Sequence, residues 1–284
     1  MISVVIPAFN ARATIADQLG ALAEAANHDV AADFEVVVAD NGSRDDTRAL
    51  VEAWCDRLPL RVVDASARQG PAAARNIGAS AARGDLLVFT DADDVIMPGW
   101  LAAWSIAAER IQFGSGPIVS FAPDAPIPRS AANASHRPPV HMDFLPYAFG
   151  SNFAVRAQLF ERHGGFPEDW RTGEDVVLSW RLQLAGVPFD FVEQAAVARR
   201  TAPGVRRILA QHYAYGVSDP RLFREFRAQG IRRPPAASSF KTYLGLVARL
   251  PLLFDRAQRE RWAAQAGRRA GRLAGSARQQ TLYW

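Results

Sequence analysis

The chain has 284 residues, an apolar fraction of 49% and a charged fraction of 22%, the balance of an ordinary globular protein with enough chain for one large domain or two small ones. One cysteine, Cys55, excludes an intrachain disulfide and fits a reducing compartment. The formal charge of +4 is uneven: residues 1–240 carry 24 basic and 27 acidic side chains (−3), and residues 241–284 carry 9 and 2 (+7). No charged-then-apolar leader precedes the first strand-like segment and no apolar run reaches bilayer length, so a cytoplasmic protein is expected.

In chain order, Ile2–Ile6 reads as an apolar strand closed by Pro7. Ala11–Ala26 reads as a helix with Ile15, Leu19 and Leu22 on one face. Phe34–Ala39 is a second strand, Asp46–Asp56 a helix, Leu60–Val63 a third strand. Pro71–Ala82 is a helix with proline in its first turn, and Leu86–Thr90 is a fourth strand. Apolar strands alternating with helices predict an α/β fold, a mostly parallel Rossmann-like sheet flanked by helices, with ligands outside the strands' carboxyl ends. Ser115–Phe121 is expected as a strand and Ala122–Tyr147 as a long loop. Asn152–Val155, Ala157–His163, Glu174–Ala185 and Val187–Val192 then read as strand, helix, helix and strand. Beyond Pro203 the pattern is helical, with interruptions expected at Gly216–Pro220 and Arg233-Pro234-Pro235.

Three strand ends carry polar groups: Asn10 after the first, Asp40-Asn41-Gly42-Ser43 after the second, and Asp91-Ala92-Asp93-Asp94 after the fourth. Asp91 and Asp93, two apart on an extended chain, project to one side. A solvated turn with capping aspartates is the simpler account of an isolated D-x-D; a hard divalent ion held with substrate phosphates is the functional alternative. Asn41 onward reads as a turn and an N-cap, whereas Asp40, the last strand residue, suits hydrogen bonds to a nucleobase or ribose. In Gly70-Pro71-Ala72-Ala73-Ala74-Arg75, small residues permit a ligand close to the helix start and Arg75 suits a phosphate; close packing on the sheet is the alternative. Glu174-Asp175 at a helix start either complements the dipole or supplies a general base.

Ser3-Val4-Val5-Ile6-Pro7-Ala8-Phe9-Asn10, Asp40-Asn41-Gly42-Ser43 with Asp46-Thr47, Ala74-Arg75-Asn76-Ile77-Gly78, Thr90-Asp91-Ala92-Asp93-Asp94, and Gly164-Gly165-Phe166 with Gly173-Glu174-Asp175 and Arg181 stand in the order of the family 2 glycosyltransferases. The chain resembles that family over roughly residues 2–190. The resemblance implies a GT-A fold and inverting transfer of a sugar from a nucleotide diphosphate to an acceptor hydroxyl. It also implies a divalent metal (Mg2+ or Mn2+) and a role in cell-envelope polysaccharide assembly. It places Pro7, Ala8, Asn10, Asp40 and Gly42 at the nucleoside, Arg75 at the nucleotide, and Asp91, Ala92 and Asp93 at the ribose and metal. Asp175 would be the base with Glu174 as second choice. Ser151, Asn152 and Trp170 would lie on the acceptor side. Where relatives often carry a metal-site histidine, Arg199-Arg200 stand here, and Arg199 is expected at the diphosphate.

The expected division is a nucleotide-sugar-binding half over 1–120, an acceptor-binding and catalytic half of the same domain over 121–232, and a basic amphipathic helical tail over 233–284. Tyr243, Leu246, Val247, Leu250, Leu253 and Phe254 fall near one helical face, with Pro251 a kink. That tail suits either packing within the protein or peripheral contact with an anionic membrane at the inner face of the plasma membrane, where a lipid-linked acceptor would lie. The Q-x-x-R-W signature of processive synthases and their membrane spans are read as absent: Gln258–Trp262 is superficially similar to it but is taken to lack its spacing and stands far past the catalytic motifs, so single-sugar transfer is expected. A sugar nucleotidyltransferase would need a Gly-rich, basic loop after the first strand, and Ala8-Phe9-Asn10-Ala11 offers none. A nucleic-acid binder would leave the acidic cluster unexplained, so no nucleic-acid partner is expected. A degenerate nucleotide-binding protein remains the alternative within the same fold.

Overall fold

The computed structural model of the chain describes residues 1–28, 33–132, 134–201, 204–248 and 255–284. Its elements begin β1 (Ile2–Ala8), α1 (Ile15–His28), β2 (Phe34–Asp40), α2 (Thr47–Glu52), β3 (Leu60–Asp64), α3 (Pro71–Ala81), β4 (Leu86–Phe89), β5 (Asp94–Ile96) and α4 (Trp100–Ala107). There follow β6 (Phe113–Ser115), β7 (Ile118–Phe121), β8 (Val140–His141), β9 (Leu145–Pro146), β10 (Phe153–Arg156), α5 (Ala157–Arg162), α6 (Glu174–Leu184), β11 (Phe189–Phe191) and β12 (Val197–Arg200). The last are α7 (Val205–Phe226), α8 (Ala236–Ala248) and α9 (Arg256–Gln279). The chain forms two compact units: Met1–Val140, Pro146–Asp169 and Glu174–Thr201 in one; His141–Leu145, Trp170–Gly173 and Ala202–Trp284 in the other.

The first unit is built on a seven-stranded sheet of order β11-β6-β10-β4-β1-β2-β3. β4, β1, β2 and β3 run parallel, β10 runs antiparallel to β4 and β6, and β11 runs parallel to β6. The four parallel strands are those that the apolar runs predict. β1 does not stop at Pro7, however; it continues to Ala8. Proline is tolerated in this central strand because β4 pairs only with Ile2–Val5, so no ladder donor is demanded of Pro7 on that side. Ser115–Phe121 is not one strand: β6 belongs to the main sheet and β7 to a second sheet of order β5-β12-β7. The break falls at Gly116, where a Cβ would stand 1.9 Å from the Ala195 carbonyl oxygen.

Helix α3 lies unusually close to the sheet. A Cβ at Gly78 would meet Val5 Cγ1 at 2.5 Å, and the helix's own Ala72, Ala73 and Ala74 are buried. This close approach carries Arg75 over the strand ends. Asn76, next along, pins the turn before α6: its amide donates to the Phe166 carbonyl oxygen (2.8 Å) and accepts from the Phe166 N–H (2.9 Å).

The second unit centres on α7 and α9. The interruption expected at Gly216–Pro220 is absent, since α7 runs through it with Pro220 inside the helix. Tertiary packing overrides the local signals there. A Cβ at Gly216 would stand 2.1 Å from the Arg268 carbonyl oxygen, and one at Gly271 2.1 Å from that of Tyr213. Gly267, Gly271 and Gly275 are thus the seam along which α9 meets α7 backbone to backbone. Asp219, fully buried, accepts hydrogen bonds from Arg268 (2.9 and 3.0 Å) and Arg272 (2.7 Å) and meets His141 Nε2 at 3.0 Å.

The tail's apolar face divides. Leu246 is buried and Tyr243 half-buried, while Val247 is exposed with Phe240 and Leu244. Leu250, Pro251, Leu253 and Phe254 lie outside the described residues. The Gln258–Trp262 string does have Q-x-x-R-W spacing. Here it opens α9: the Gln258 N–H donates to Asp255 at the N-cap (2.8 Å), and Trp262 Nε1 donates to the Leu246 carbonyl oxygen of α8 (2.9 Å). No helix among the described residues is long and apolar enough to cross a membrane.

Burial alone would push the Asp219 carboxyl up, but the hydrogen bond from His141 and the charge of Arg268 outweigh it and hold the group well below the usual carboxylate range. The folded value lies below the unfolded one. The stability it contributes is therefore complete above the ordinary carboxylate value of 3.8 and is lost as pH falls below it. Asp219→Asn should cost about 1–3 kcal/mol, since it leaves two half-buried arginines facing a neutral amide. Urea denaturation near pH 7 measures that loss, and the variant should also lack the Asp219 share of the acid dependence.

Candidate active site

The carboxyl edge of β1, β2 and β4 gathers the polar strand ends. Asp40 is buried at the end of β2 and accepts the Ser43 N–H (3.1 Å) through Oδ1. Asn10, at φ 50°, accepts the Arg44 N–H (2.8 Å) and donates its own N–H to Ser43 Oγ (3.0 Å), which ties the first strand-end loop to the second. Gly42 takes φ 80°, a left-handed conformation that favours glycine. Asn41 is structural: its side chain holds Ala65, Arg68 and Gly70. Pro7 and Ala8 end β1 beside this loop, and the exposed Phe9 ring, which the sequence reading leaves without a role, follows them.

After β4, Ala92 is buried, and the three aspartates differ. Asp91 accepts a hydrogen bond from Arg75 Nη2 (2.7 Å). Asp93 is exposed and forms no ion pair with the described residues; partial loss of solvation, then the charge of Asp91, holds its carboxyl above the ordinary value. Asp94 is buried with Oδ2 free of hydrogen bonds, and burial followed by the Asp91 charge pushes it up to about 8. Arg199 lies opposite Asp94 because β12 pairs antiparallel with β5. Its Nε is 3.6 Å from Asp94 Oδ2, its Nη2 donates to Ser151 Oγ (2.5 Å), and its guanidinium covers the Phe149 ring at 5.0 Å.

Among the described residues no group of three or more His, Cys, Asp or Glu side chains forms a metal cage. Mg2+ and similar ions commonly bind through one or two carboxylates plus substrate phosphates, without such a cage. An exposed Asp93 beside Asp91, with no ion-pair partner among the described residues, fits that mode, and a cation there would relieve the crowding of three carboxylates.

Arg75 is not open to a nucleotide, contrary to the sequence expectation. It is 4% exposed, and its Nη1 donates to Glu174 Oε1 (2.9 Å) while Nη2 holds Asp91. Desolvation would lower its pKa, but the charges of Asp91 and Glu174 outweigh that, so it stays charged. Glu174 is buried, and burial followed by the charge of Asp175 pushes it up to about 7. Asp175 is half-buried; its Oδ2 accepts the Gly150 N–H (2.9 Å) and its Oδ1 the Val176 N–H (2.8 Å).

Three further placements differ from expectation. Asn152 is fully buried, accepting from Trp100 Nε1 (3.0 Å) and donating to the Ala195 carbonyl oxygen (2.7 Å), so it staples the sheet and cannot meet an acceptor. Ser151 is also buried, against Arg199. Trp170 belongs to the second unit, buried with the Arg221 guanidinium 4.1 Å over its ring.

Residues 3–109 match the family described as Glycosyl transferase family 2, and residues 87–264 match Glycosyl transferase family group 2. The chain belongs to glycosyl transferase family 2. It is 31% identical over 228 residues to the validoxylamine A glucosyltransferase of Streptomyces hygroscopicus subsp. jinggangensis (strain 5008), covering 66% of this chain and 52% of that protein. It therefore spans about half the length of the curated relatives it matches. The mannosyltransferase PcManGT from Pyrobaculum calidifontis, solved with GDP-Man and Mn2+, superposes with a TM-score of 0.57 at 22% identity, covering 96% of this chain and 86% of that one. S. aureus TarS 1-349 in complex with UDP-GlcNAc superposes with a TM-score of 0.56 at 18% identity, covering 100% and 93%. These likenesses identify the fold as GT-A.

Proposed function

We propose that the protein transfers a single sugar, with inversion, from a nucleotide-diphosphate sugar to a hydroxyl of a glycan or lipid-linked acceptor. One observation carries the reading: Asp91, beside Asp93 at the end of β4, and Glu174, beside Asp175 at the start of α6, share the Arg75 guanidinium. Donor-side acids and a candidate base thus occupy one neighbourhood. Family membership supports the same chemistry, as do the UDP-GlcNAc held by TarS and the GDP-Man and Mn2+ held by PcManGT.

Asp40, with Pro7, Ala8, Asn10 and Gly42 around it, would receive the nucleoside. Asp93 with Asp91 would hold a divalent ion, Mg2+ or Mn2+, which supplies charge neutralisation for the departing diphosphate. Arg199, on the Phe149 ring and tied by one nitrogen to Ser151, would direct its remaining N–H groups at the diphosphate. The acceptor oxygen bonds to the anomeric carbon as the bond from that carbon to the diphosphate oxygen breaks. The bonding pair leaves with the nucleotide diphosphate, and the acceptor proton passes to the Asp175 carboxylate. The two backbone N–H groups on Asp175 fix the direction of its carboxylate, as a base requires.

Lipid-linked acceptors lie at a membrane surface, and α8 supports peripheral contact with an anionic one. Phe240, Leu244 and Val247 form an exposed apolar row, and Lys241, Arg256, Arg259 and Arg261 of the same unit are exposed. Flotation with vesicles of phosphatidylglycerol and phosphatidylcholine should recover the protein, and Phe240→Glu with Leu244→Glu should release it. Recovery unchanged by those substitutions, or no recovery at all, counts against the contact.

Product analysis with nucleotide-sugar panels tests the chemistry. Asp175→Asn should lower kcat by about 10²–10⁴-fold while donor binding persists, whereas Arg199→Ala should mainly raise the donor KM. Nucleotide binding without transfer to any acceptor would favour the degenerate nucleotide-binding alternative.

A further inference from the structure

We infer that Arg75 is a positioning residue that sets the distance between the donor-side acids and the base, with Glu174 as its buried counter-ion and Gly150 as the gap that admits it. This deepens, and rests on, the glycosyl-transfer reading above.

Arg75 touches both sides of the site. Its guanidinium bridges Asp91 at 2.7 Å and Glu174 at 2.9 Å, one carboxylate from the β4 end and one from the start of α6. Behind it stands the Phe166 ring, 5.5 Å from Cζ, itself packed edge-on against Phe89 and Phe153. The guanidinium also lies against the backbone of Gly150. A Cβ there would stand 3.1 Å from Nη2 and 3.2 Å from both Cζ and Nη1. The N–H of this same glycine donates to Asp175 Oδ2. One planar cation therefore contacts the donor-side carboxylate, the residue before the base, and the loop that hydrogen-bonds the base.

A planar fork can hold two carboxylates at fixed directions, which a lysine ammonium cannot. The bridge engages Asp91 through Oδ1, so its other oxygen and Asp93 remain for the donor. It engages Glu174 through Oε1 in a buried setting, which removes Glu174 from service as a base. Asp175, with its carboxylate oriented by two backbone N–H groups, is left as the proton acceptor. The small residues of α3 and the Asn76 hold on Phe166 belong to the same device, since they bring the arginine and its aromatic backing to this point.

The test separates positioning from mere stability by a ratio that the fraction of folded enzyme does not move: sugar transferred to acceptor over donor hydrolysed to water. Glu174→Gln, Arg75→Lys and Gly150→Ala are compared with wild type, with nucleotide-diphosphate titration counting competent sites. A base displaced by a fraction of an ångström loses its hold on the acceptor before it loses donor hydrolysis, so the ratio should fall about tenfold or more in each variant. The donor KM should stay within about twofold of wild type in Glu174→Gln, the nearly isosteric change, because the donor-side acids remain in place. Arg75→Lys, keeping the charge but not the fork, should not restore the ratio. Wild-type ratios in Glu174→Gln and Gly150→Ala, each with intact nucleotide binding, would overturn the inference while leaving the transferase reading standing. A wild-type protein that neither binds a nucleotide diphosphate nor transfers sugar would overturn the reading itself.

Discussion

The site depends on one buried cation. Three aspartates after β4 and two acids at the start of α6 would repel one another at close quarters in a poorly solvated place. Arg75 offsets that repulsion from inside, and its position follows from features far from any chemistry: the alanines and Gly78 that lay α3 on the sheet, and the Phe166 turn that backs the guanidinium. Even so, Asp93, Asp94 and Glu174 are all raised from the ordinary carboxyl value, Asp94 and Glu174 by a wide margin. A stability-driven sequence would not retain such crowding without a further use for it, and a cation with a diphosphate is the use that the donor set fits.

Much of the first unit was legible because its physics is local. Short apolar runs within Ile2–Ala8, Phe34–Asp40 and Leu86–Phe89, rich in β-branched residues and too short for helices, read as buried strands, and proline at the start of α3 marked where that helix begins. The strand ends followed, and with them Asp40, Asp91 and Asp93. What could not be read was the direction in which side chains point after the turn. Asn152 and Arg75 look equally polar and available in the sequence; burial of the one against Trp100 and of the other between two carboxylates is a tertiary fact.

The same limit explains the second unit. Gly216 and Pro220 are breaker signals locally, yet α7 continues through them because α9 needs a surface without side chains. Gly267, Gly271 and Gly275 recur every four residues, but the meaning of that spacing lies in the partner helix. Likewise Arg268 and Arg272, counted among the basic residues of the tail, are consumed by Asp219 and contribute little to a free basic face. Charge read from a sequence overstates what a surface presents.

The most direct measurement is calorimetric titration of UDP, GDP, dTDP and CDP into the wild-type protein and Asp93→Asn, each with Mn2+ or with a chelator. The account predicts that at least one nucleotide binds with Mn2+ and that chelation and Asp93→Asn each weaken it about tenfold or more, because Asp93 and Asp91 would hold a metal that would supply charge neutralisation for the nucleotide's phosphates. Binding by none of the four, or binding indifferent to both the metal and the Asp93 carboxylate, would contradict it.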